Sequence, residues 1–372
     1  MIPFNVPVLT GLESSALSNA IAQGRFSGDG PIARRCEQKL ADQLGVRRAL
    51  LVPSCTHALE MAALLLDLEE GDEVILPSFT FVSTANAFAL RRARLVFVDI
   101  DPRTMNIEPE SVQKALSPRT KAIVVVHYAG VGCDMDAIMD IAHDAGVPVI
   151  EDAAQCIGAG YRGKPLGAFG AIGCFSFHET KNIHCGEGGA IVFNDPVLAE
   201  RAEILREKGT NRSNFLRGQV DKYTWVSIGS SYLPSELNAA FLEPQLDAVS
   251  NITMRRLAIW RRYREALAQL PGIQIPDPPS ECAHNAHLFW VKAPNEGARD
   301  RWIAELRQAG VSAPFHYVPL HGTDPGREFG RFHGEDRYTT REASRLLRLP
   351  LHLNLSDADI DAVIAAVKGL SG

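Results

Sequence analysis

The chain has 372 residues, of which 46% are hydrophobic and 22% are charged. This balance is ordinary for a folded protein and excludes a disordered chain, which would carry fewer apolar residues and more charge. The formal net charge of -6 argues against nucleic-acid binding through the overall charge of the protein. The longest apolar runs, such as Ala122–Val126, are far shorter than the roughly 20 residues that a membrane span needs. We therefore expect neither nucleic acid nor a membrane as a partner.

The seven cysteines are scattered along the chain and form no CxxC pair. An odd, unpaired set is typical of a reducing compartment, and it excludes the common zinc-ribbon and redox patterns. No basic stretch precedes an apolar segment at the N-terminus, so we expect no secretory signal. These features predict a cytoplasmic protein without a metal site, whose thiols are buried or incidental.

The first 250 residues alternate short β-rich runs with segments of helical pattern. The predicted strands are Ala49–Val52, Glu73–Leu76, Leu95–Val98, Ala122–Val126, Val147–Glu151, Gly173–Phe177 and Ala190–Phe193. The predicted helices are Thr56–Leu66, Val82–Leu90, Asp134–Ala145 and Pro196–Glu207. Strands that alternate with helices indicate βαβ units and a mostly parallel sheet covered on both faces. Such sheets bind ligands at the carboxyl ends of their strands, so we expect the functional residues there.

The pattern changes at about Pro234, where a long helical stretch begins that runs to about Gln269. The segment Pro271–Pro279 holds four prolines and is typical of a connector. The elements expected after it are an apolar run at His287–Lys292, a helix at Ala298–Ala309, a strand at Val311–His316 and a final helix. We therefore predict a large α/β domain over residues 1–245 and a small C-terminal α+β domain over residues 246–372.

Chemistry-bearing residues follow two of the predicted strands. In Glu151-Asp152-Ala153-Ala154-Gln155, an apolar strand ends directly in a carboxylate. Such an Asp can be a metal ligand, a catalytic acid or a structural cap on the next turn. Another strand ends in the segment Phe175–Asn182, in which Ser176 and Lys181 lie five residues apart. A glycine-rich turn at Gly186–Gly189 then leads into the next strand.

An Asp and a Lys at neighbouring strand ends suit pyridoxal phosphate (PLP), which needs a Schiff-base lysine and a carboxylate that keeps its pyridine nitrogen protonated. Its phosphate is held by hydroxyls and backbone N–H groups, best at a helix N-terminus. The segment Pro53–Leu59 supplies such a terminus, although Ser54 and Thr56 also fit simple N-capping. Phe79 and Phe81 open the next helix, where an aromatic ring either stacks on a flat cofactor or belongs to the core.

Together these residues resemble the PLP-dependent nucleotide-sugar aminotransferases of the DegT/StrS group, within the fold type I aminotransferases. The similarity spans essentially the whole chain and is greatest to members that make dTDP-4-amino-4,6-dideoxygalactose. The stretches that carry it are Ile2–Asn5, Phe81–Phe88, Ser176–Asn182, Lys208–Arg212 and Phe315–Gly322. The resemblance implies a large domain with a mostly parallel sheet flanked by helices, and a smaller C-terminal α+β domain.

The resemblance implies a role for each residue of a cofactor site. Lys181 would be the Schiff-base lysine, Asp152 the partner of the pyridine nitrogen, and Gln155 a hydrogen-bond partner of the cofactor's 3-hydroxyl. Phe81, rather than Phe79, falls where the family stacks an aromatic on the ring. The groups expected on the phosphate are Cys55 (through its backbone), Thr56, Ser176 and, from the neighbouring subunit of a homodimer, Ser231. Relatives carry an Asn within a GxNxR motif at this last position, so a shorter side chain stands here.

The activity that the resemblance implies is amino transfer from L-glutamate to the 4-keto group of dTDP-4-dehydro-6-deoxyglucose. The products would be dTDP-4-amino-4,6-dideoxygalactose and 2-oxoglutarate, and the alternatives are the gluco epimer or another keto-sugar nucleotide as substrate. The residues expected to contact the sugar nucleotide are His178, Lys208, Asn211, Arg212, His316, Tyr317 and His321. Each of these also fits a solvated loop charge or a core side chain.

Three other classes of protein compete with this interpretation. A non-catalytic regulator that responds to sugar nucleotides would keep the fold, but the intact Lys181, Asp152 and Gln155 argue against it. A dinucleotide-binding enzyme needs GxGxxG between a strand and a helix, whereas the run Gly167–Gly173 is spaced GxxGxxG and precedes a strand. A cysteine desulfurase-like enzyme would use Cys185, which follows Lys181 too closely to be a mobile loop nucleophile.

Overall fold

The computed structural model describes residues 1–370 of the chain. Its strands are β1 (Arg48–Val52), β2 (Glu73–Pro77), β3 (Arg94–Val98), β4 (Thr120–Val126), β5 (Val149–Asp152), β6 (Gly160–Tyr161), β7 (Lys164–Pro165), β8 (Ile172–Ser176), β9 (Gly189–Phe193), β10 (Cys282–Ala283), β11 (Phe289–Lys292), β12 (Gly330–Phe332) and β13 (Leu346–Leu349). Its helices are α1 (Glu13–Gln23), α2 (Pro31–Leu44), α3 (Cys55–Leu65), α4 (Val82–Ala89), α5 (Pro109–Ala115), α6 (Met135–Ala145), α7 (Pro196–Arg206), α8 (Arg212–Leu216), α9 (Glu236–Asp247), α10 (Val249–Leu267), α11 (Glu296–Gln308), α12 (Asp324–Phe329), α13 (Thr339–Arg345) and α14 (Asp357–Lys368).

Eight strands form the central sheet, in the order β1-β9-β8-β5-β4-β2-β3-β12. Strand β9 runs antiparallel to both of its neighbours, while the pairs from β8 to β12 are all parallel. Most strand residues are buried, as in a sheet that carries helices on both faces. The prediction of a mostly parallel, doubly covered sheet is therefore confirmed.

Two apolar layers lie against the two faces of this sheet. Along β1, Ala49 and Leu51 belong to one buried cluster and Leu50 and Val52 to the other, because successive strand side chains point to opposite faces. The first layer includes α1, α2, α6 and α9, and the second includes α3, α4 and α7. With both faces covered, the carboxyl ends of the parallel strands are the place for a ligand.

A third apolar cluster belongs to the C-terminal part of the chain. It brings together α10, α11 and α14 with the antiparallel pair β11–β13. The same part also sends β12 back to the central sheet, where Gly330–Phe332 pairs in parallel with β3. The division into residues 1–245 and 246–372 stays a prediction, and residues 371–372 lie outside the described part of the chain.

One expectation about the C-terminal part is wrong. Val311–His316 is not a strand: Val311 bridges Ile2 and Phe315 bridges Leu347, each in isolation. Pro314 between them has no N–H to donate, which interrupts regular pairing. The helical stretch predicted from about Pro234 to about Gln269 is confirmed, and it consists of two consecutive helices: α9 packs on α1 and α2, and α10 packs on α14.

Candidate active site

The residues expected around a cofactor begin at the carboxyl ends of neighbouring strands. Asp152 is the last residue of β5 and Ser176 the last residue of β8, and the two strands pair directly. Lys181 lies in the loop after β8, and α3 starts at Cys55 shortly after β1. Because these strands are parallel, their ends meet at one edge of the sheet. The topology thus brings together the Lys, the Asp and the helix N-terminus that the sequence pattern singled out.

Asp152 is a buried carboxylate, with only 6% of the residue exposed. Its Oδ2 accepts a hydrogen bond of 2.7 Å from the Thr84 hydroxyl, and its Oδ1 accepts one of 3.1 Å from the Ala154 N–H. Burial nonetheless raises the pKa of Asp152, because water no longer stabilises the charge. No cation among residues 1–370 forms an ion pair with it. A protonated pyridine nitrogen would supply the missing positive charge, so this carboxylate fits PLP.

Lys181 is half-buried, and its backbone N–H donates to the His178 carbonyl. Burial lowers the pKa of the Lys181 ammonium, while the Cys55 thiol and the Asp152 carboxylate act in the opposite direction. A lowered pKa raises the fraction of neutral amine, which is the nucleophilic form. The site therefore prepares Lys181 to react with a carbonyl group such as the aldehyde of PLP.

The start of α3 provides the expected place for a phosphate. Ser54 caps the helix by accepting a hydrogen bond from the His57 N–H, and the Thr56 hydroxyl donates to Ser83 at 2.8 Å. The first N–H groups of a helix have no partner within it, so they are available to an anion. Ser176 is 9% exposed and lies at the end of β8. Capping and phosphate binding are therefore compatible here.

The two aromatic candidates differ in exposure. Phe79 is 1% exposed and belongs to a buried cluster, whereas Phe81 is 56% exposed at the N-terminus of α4. The Phe81 ring lies 6.2 Å from the ring of Tyr317. Gln155 is fixed nearby, since its Oε1 accepts from the Ala129 N–H at 2.6 Å and its Nε2 donates to the Tyr317 hydroxyl at 3.3 Å. Phe79 is therefore a core side chain, and the stacking role of Phe81 stays a prediction.

His316 and Tyr317, which the sequence analysis expects to contact the substrate, lie close to Lys181 and Gln155. The His316 Nδ1 is 3.1 Å from the Tyr128 hydroxyl, and the Tyr317 hydroxyl contacts Gln155. Burial lowers the pKa of His316 and raises that of Tyr317, so both side chains are neutral near pH 7. The charge of Lys181 also lowers the pKa of His316, which places the two groups close together.

The other two histidines expected to contact the sugar nucleotide, His321 and His178, have different surroundings. His321 is held between the Ser78 hydroxyl at 2.7 Å and the Asp336 carboxylate at 3.1 Å. These contacts tie His321 to the strand end after β2, and its contact with the substrate stays a prediction. His178 lies partly exposed beside Thr180, with its Nε2 3.6 Å from a Glu187 oxygen.

Lys208, Asn211, Arg212 and Ser231 form a separate group. Arg212 pairs with Glu207 at 3.0 Å, the Asn211 side chain accepts from the Thr224 N–H, and the Lys208 N–H donates to Ser230. Ser231 is exposed and bridges Glu207. Within residues 1–370, no hydrogen bond or ion pair joins this group to Lys181 or Asp152.

Sequence reasoning missed three polar residues at this site, namely Thr84, Tyr128 and Arg348. Thr84 is fully buried and links Asp152 to Thr80, whose hydroxyl lies 2.7 Å away. Thr84 could have been found from the sequence, because it lies in the first turn of α4, within the stretch Phe81–Phe88 that resembles the family. Tyr128 and Arg348 gave no such signal, because their contacts with His316 and with the Phe315 carbonyl depend on tertiary packing.

Two rival interpretations lose their structural basis. The glycine run at Gly167–Gly173 wraps the Glu151 carboxylate, which accepts the N–H groups of Gly167, Phe169 and Gly170. The run therefore serves a buried protein anion instead of a dinucleotide. The Cys185 thiol is buried, and burial raises its pKa to about 12, so it is a poor nucleophile.

The fold and this site define a fold type I, PLP-dependent aminotransferase, and comparisons with known proteins agree. Residues 9–368 match the DegT/DnrJ/EryC1/StrS aminotransferase family, and the chain belongs to that family. The aminotransferase TlmJ from Streptoalloteichus hindustanus shares 34% identity over 99% of this chain and 98% of its own, with a TM-score of 0.92. DesV from S. venezuelae shares 32% identity over 96% and 93% of the two chains, with a TM-score of 0.88.

A third similar structure is the PLP form of Spr1654, a candidate sugar aminotransferase from Streptococcus pneumoniae. It shares 25% identity over 99% of this chain and 98% of its own, with a TM-score of 0.92. PLP is accordingly the cofactor of this aminotransferase. No helix within the described residues is long and apolar enough to cross a membrane.

Proposed function

We propose that this aminotransferase moves an amino group from L-glutamate to the 4-keto group of dTDP-4-dehydro-6-deoxyglucose. The products are dTDP-4-amino-4,6-dideoxygalactose and 2-oxoglutarate. The observation that carries the chemistry is the half-buried Lys181 beside the buried, unpaired Asp152 carboxylate. The choice of a nucleotide sugar is supported by the sequence stretches shared with that branch of the family and by His316 and Tyr317 beside the site.

The division of labour among the side chains follows from their positions. PLP, when bound, supplies an aldehyde that takes up an amino group and a ring that withdraws electrons from the neighbouring carbon. Asp152 holds a proton on the pyridine nitrogen, and Thr84 and Ala154 fix the carboxylate that does so. Lys181, as a neutral amine, accepts the proton from the α-carbon of glutamate and later returns one to C4 of the sugar.

The remaining contacts orient the cofactor. The N–H groups at the start of α3, with Thr56 and Ser176, would hold its phosphate, since a helix N-terminus favours an anion. Phe81 would cover one face of the ring, and the Gln155 amide would donate to the 3-hydroxyl. His316 and Tyr317 would contact the sugar hydroxyls as neutral hydrogen-bonding groups.

The enzyme acts as a homodimer with shared sites under this proposal. The segment before Ser231 leaves apolar side chains open to solvent, with Tyr223 54%, Trp225 75% and Ile228 70% exposed. Exposed apolar groups of this kind typically mark an interaction surface. Burial of this segment against a second copy would bring Ser231 to the partner's cofactor phosphate, together with Lys208, Asn211 and Arg212 for the nucleotide end. The seven free thiols fit a cytoplasmic enzyme.

The test is a substrate panel. The PLP-loaded enzyme is incubated with L-glutamate and a set of 4-keto and 3-keto sugar nucleotides, and the products are identified by NMR. We expect turnover of dTDP-4-dehydro-6-deoxyglucose, with the small couplings to H4 that an axial amino group gives. Large couplings would identify the gluco epimer, and preference for another nucleotide or a 3-keto sugar would contradict the substrate assignment. Absence of turnover with every substrate would favour the non-catalytic regulator.

A further inference from the structure

Asn182, which directly follows Lys181, is tied to a distant segment of the chain by two hydrogen bonds. Its side-chain Nδ2 donates to the Asn285 carbonyl at 3.1 Å, and its Oδ1 lies 2.9 Å from the His287 Nδ1. Asn182 is 3% exposed, so water does not compete for these contacts. A buried amide with both of its polar atoms partnered is held in one orientation. The backbone that carries Lys181 is therefore anchored to the segment Asn285–His287.

These two contacts define which nitrogen of His287 carries a hydrogen. The Asn285 carbonyl can only accept, so the Asn182 nitrogen faces it and the Asn182 oxygen faces the imidazole. That oxygen accepts, and the His287 Nδ1 is therefore the donor. Burial lowers the pKa of His287 well below its ordinary value, and the charge of Lys181 acts in the same direction. His287 is thus a neutral ring that donates one hydrogen bond to Asn182.

Asn285 joins the same segment to the turn that carries Gln155. It is fully buried, and its Nδ2 donates to the Gln155 carbonyl at 2.8 Å. Its Oδ1 accepts the His287 N–H at 3.1 Å. A Cβ atom at Gly130 would overlap this oxygen, so the side chain occupies space that a glycine leaves. One short segment therefore contacts both Asn182 and the Gln155 backbone.

Helix α10 holds this segment from its other side. Arg256 is buried, and its Nε and Nη2 donate to the carbonyls of Ala286 and His287 at 3.0 Å and 2.8 Å. Ala286 has a φ of 50°, a left-handed conformation that is uncommon for residues other than glycine. Such a conformation persists only where its surroundings fix it, and the two guanidinium contacts do so. The segment is therefore a rigid support for the residues that it contacts.

The hydrogen bonds among Asn182, Asn285 and His287 form a continuous set, which we call the Asn182 bridge. We propose that its three members are positioning residues that hold the Lys181 amine and the Gln155 amide at one separation. The inference rests on the roles that the proposed function gives to Lys181 and Gln155. PLP carries its aldehyde and its 3-hydroxyl on adjacent ring carbons, so the two protein groups that meet them must keep a matching distance. A displacement of about 1 Å at a reacting group can slow a reaction about a hundredfold.

The test removes the hydrogen bond between Asn182 and His287 and then restores it. His287→Leu loses the donor, whereas His287→Asn keeps an amide N–H near the position of Nδ1. Tyr263→Phe is the matched control, because it removes another buried hydrogen bond of the C-terminal part, from the Tyr263 hydroxyl to the Pro350 carbonyl at 2.9 Å. PLP affinity is measured by titration, the first half-reaction by the loss of PLP absorbance with L-glutamate, and stability by chemical unfolding.

For His287→Leu we expect PLP affinity to fall about three- to tenfold, as for loss of one buried hydrogen bond. The rate of the first half-reaction at saturating L-glutamate should fall about ten- to a hundredfold. The glutamate concentration at half-maximal rate should change by less than about twofold, because the Asn182 bridge acts through Lys181 and Gln155 and not on the amino donor. His287→Asn should recover most of both losses, and Tyr263→Phe should lose stability only.

Asn182→Ala removes the same hydrogen bond from the other side, so combining it with His287→Leu should add little further loss. Losses of PLP affinity and rate in Tyr263→Phe equal to those in His287→Leu would show that stability alone matters, and would overturn the proposal. So would a His287→Asn protein no better than His287→Leu, or full addition of the losses in the double variant. Where His287→Leu does not fold, Asn182→Ala gives the same comparison with Tyr263→Phe. Wild-type enzyme that binds PLP but reacts with no amino donor would refute the proposed function, and the PLP affinities would then decide on the Asn182 bridge.

Discussion

At the scale of single residues, Asp152 shows how hydrogen bonds stabilise a buried carboxylate. The Thr84 hydroxyl and the Ala154 N–H each stabilise the carboxylate, yet burial still raises its pKa. Such a group gains most from a positive partner, because its own surroundings leave the charge incompletely compensated. The negative charge of Asp152 also raises the pKa of Lys181, so the two groups depend on one another.

Asp152→Asn should keep the shape of the site and remove this charge. A charge-assisted hydrogen bond contributes about 1.5–3 kcal/mol, so each half-reaction should slow by at least about tenfold. In the PLP-free protein the pKa of Lys181 should fall further, because loss of the negative charge favours the neutral amine. Stopped-flow absorbance measures the rates, and the pH dependence of Lys181 acetylation, followed by mass spectrometry, measures the pKa. Unchanged rates in both half-reactions would refute the role of Asp152.

Much of the site could be predicted from the sequence, because its residues follow strand ends. Lys181, Asp152 and Gln155 lie within a few residues of apolar strands, and parallel strands bring such positions to one edge. Arg348 could not be found in this way. It lies within an ordinary strand, and its contact with the Phe315 carbonyl arises only when β13 packs beside the loop before His316.

At the scale of secondary-structure elements, Gly189 sets how closely β9 approaches α3. A Cβ atom at this position would lie 2.5 Å from the Ser54 carbonyl carbon and 2.6 Å from the Cys55 nitrogen. These are backbone atoms at the N-terminus that is expected to hold the phosphate, so they cannot yield without moving the helix start. The glycine-rich turn therefore serves the site through close packing.

Gly189→Ala should displace the start of α3 and weaken PLP binding. Overpacking of this kind costs about 1–3 kcal/mol, which should appear as a lower midpoint of chemical unfolding. Gly297→Ala is the matched control, because its Cβ would meet nothing closer than 3.5 Å and Ala favours the helix there. A Gly189→Ala protein with wild-type stability and wild-type PLP affinity would contradict the close-packing argument.

The elements of the sheet were easier to predict than those of the C-terminal part. The runs in β1 to β5 are continuous and buried, and such runs mark strands of a covered sheet. Strand β12 has only three residues, Gly330–Phe332, and it exists because Leu95–Phe97 offers a free edge. The residues near Gly330 in the sequence do not reveal that this edge is free. The isolated bridges at Val311 and Phe315 could not be predicted for the same reason, because their partners are distant in the sequence.

At the scale of the whole molecule, the exposed apolar side chains of residues 223–228, before Ser231, indicate an interaction surface. Trp225 is the most exposed of its large side chains, at 75%. In the proposed homodimer this ring becomes buried, and full burial of a large apolar side chain contributes about 1.5–3 kcal/mol. Each cofactor phosphate would then receive a hydrogen bond from a second chain.

Trp225→Ser should therefore weaken the dimer and, through it, PLP binding. Sedimentation velocity at several protein concentrations should show a larger monomer fraction than for wild type. Mixing inactive Lys181→Ala with inactive Ser231→Trp provides a second check, because a mixed dimer carries both changes in one site and none in the other. Partial return of activity after subunit exchange supports shared sites, whereas exchange without recovery counts against them.

The central claim is that Lys181 carries the cofactor, and borohydride reduction tests it most directly. Reduction of the PLP-loaded protein fixes the pyridoxyl group on the lysine that holds it, and peptide mapping by mass spectrometry then locates that lysine. We predict the label on Lys181 and none on Lys292, which is buried but paired with Glu342 at 2.8 Å. Lys181→Ala should lose the imine absorbance. A pyridoxyl group on Lys292 or on any other lysine would contradict the claim.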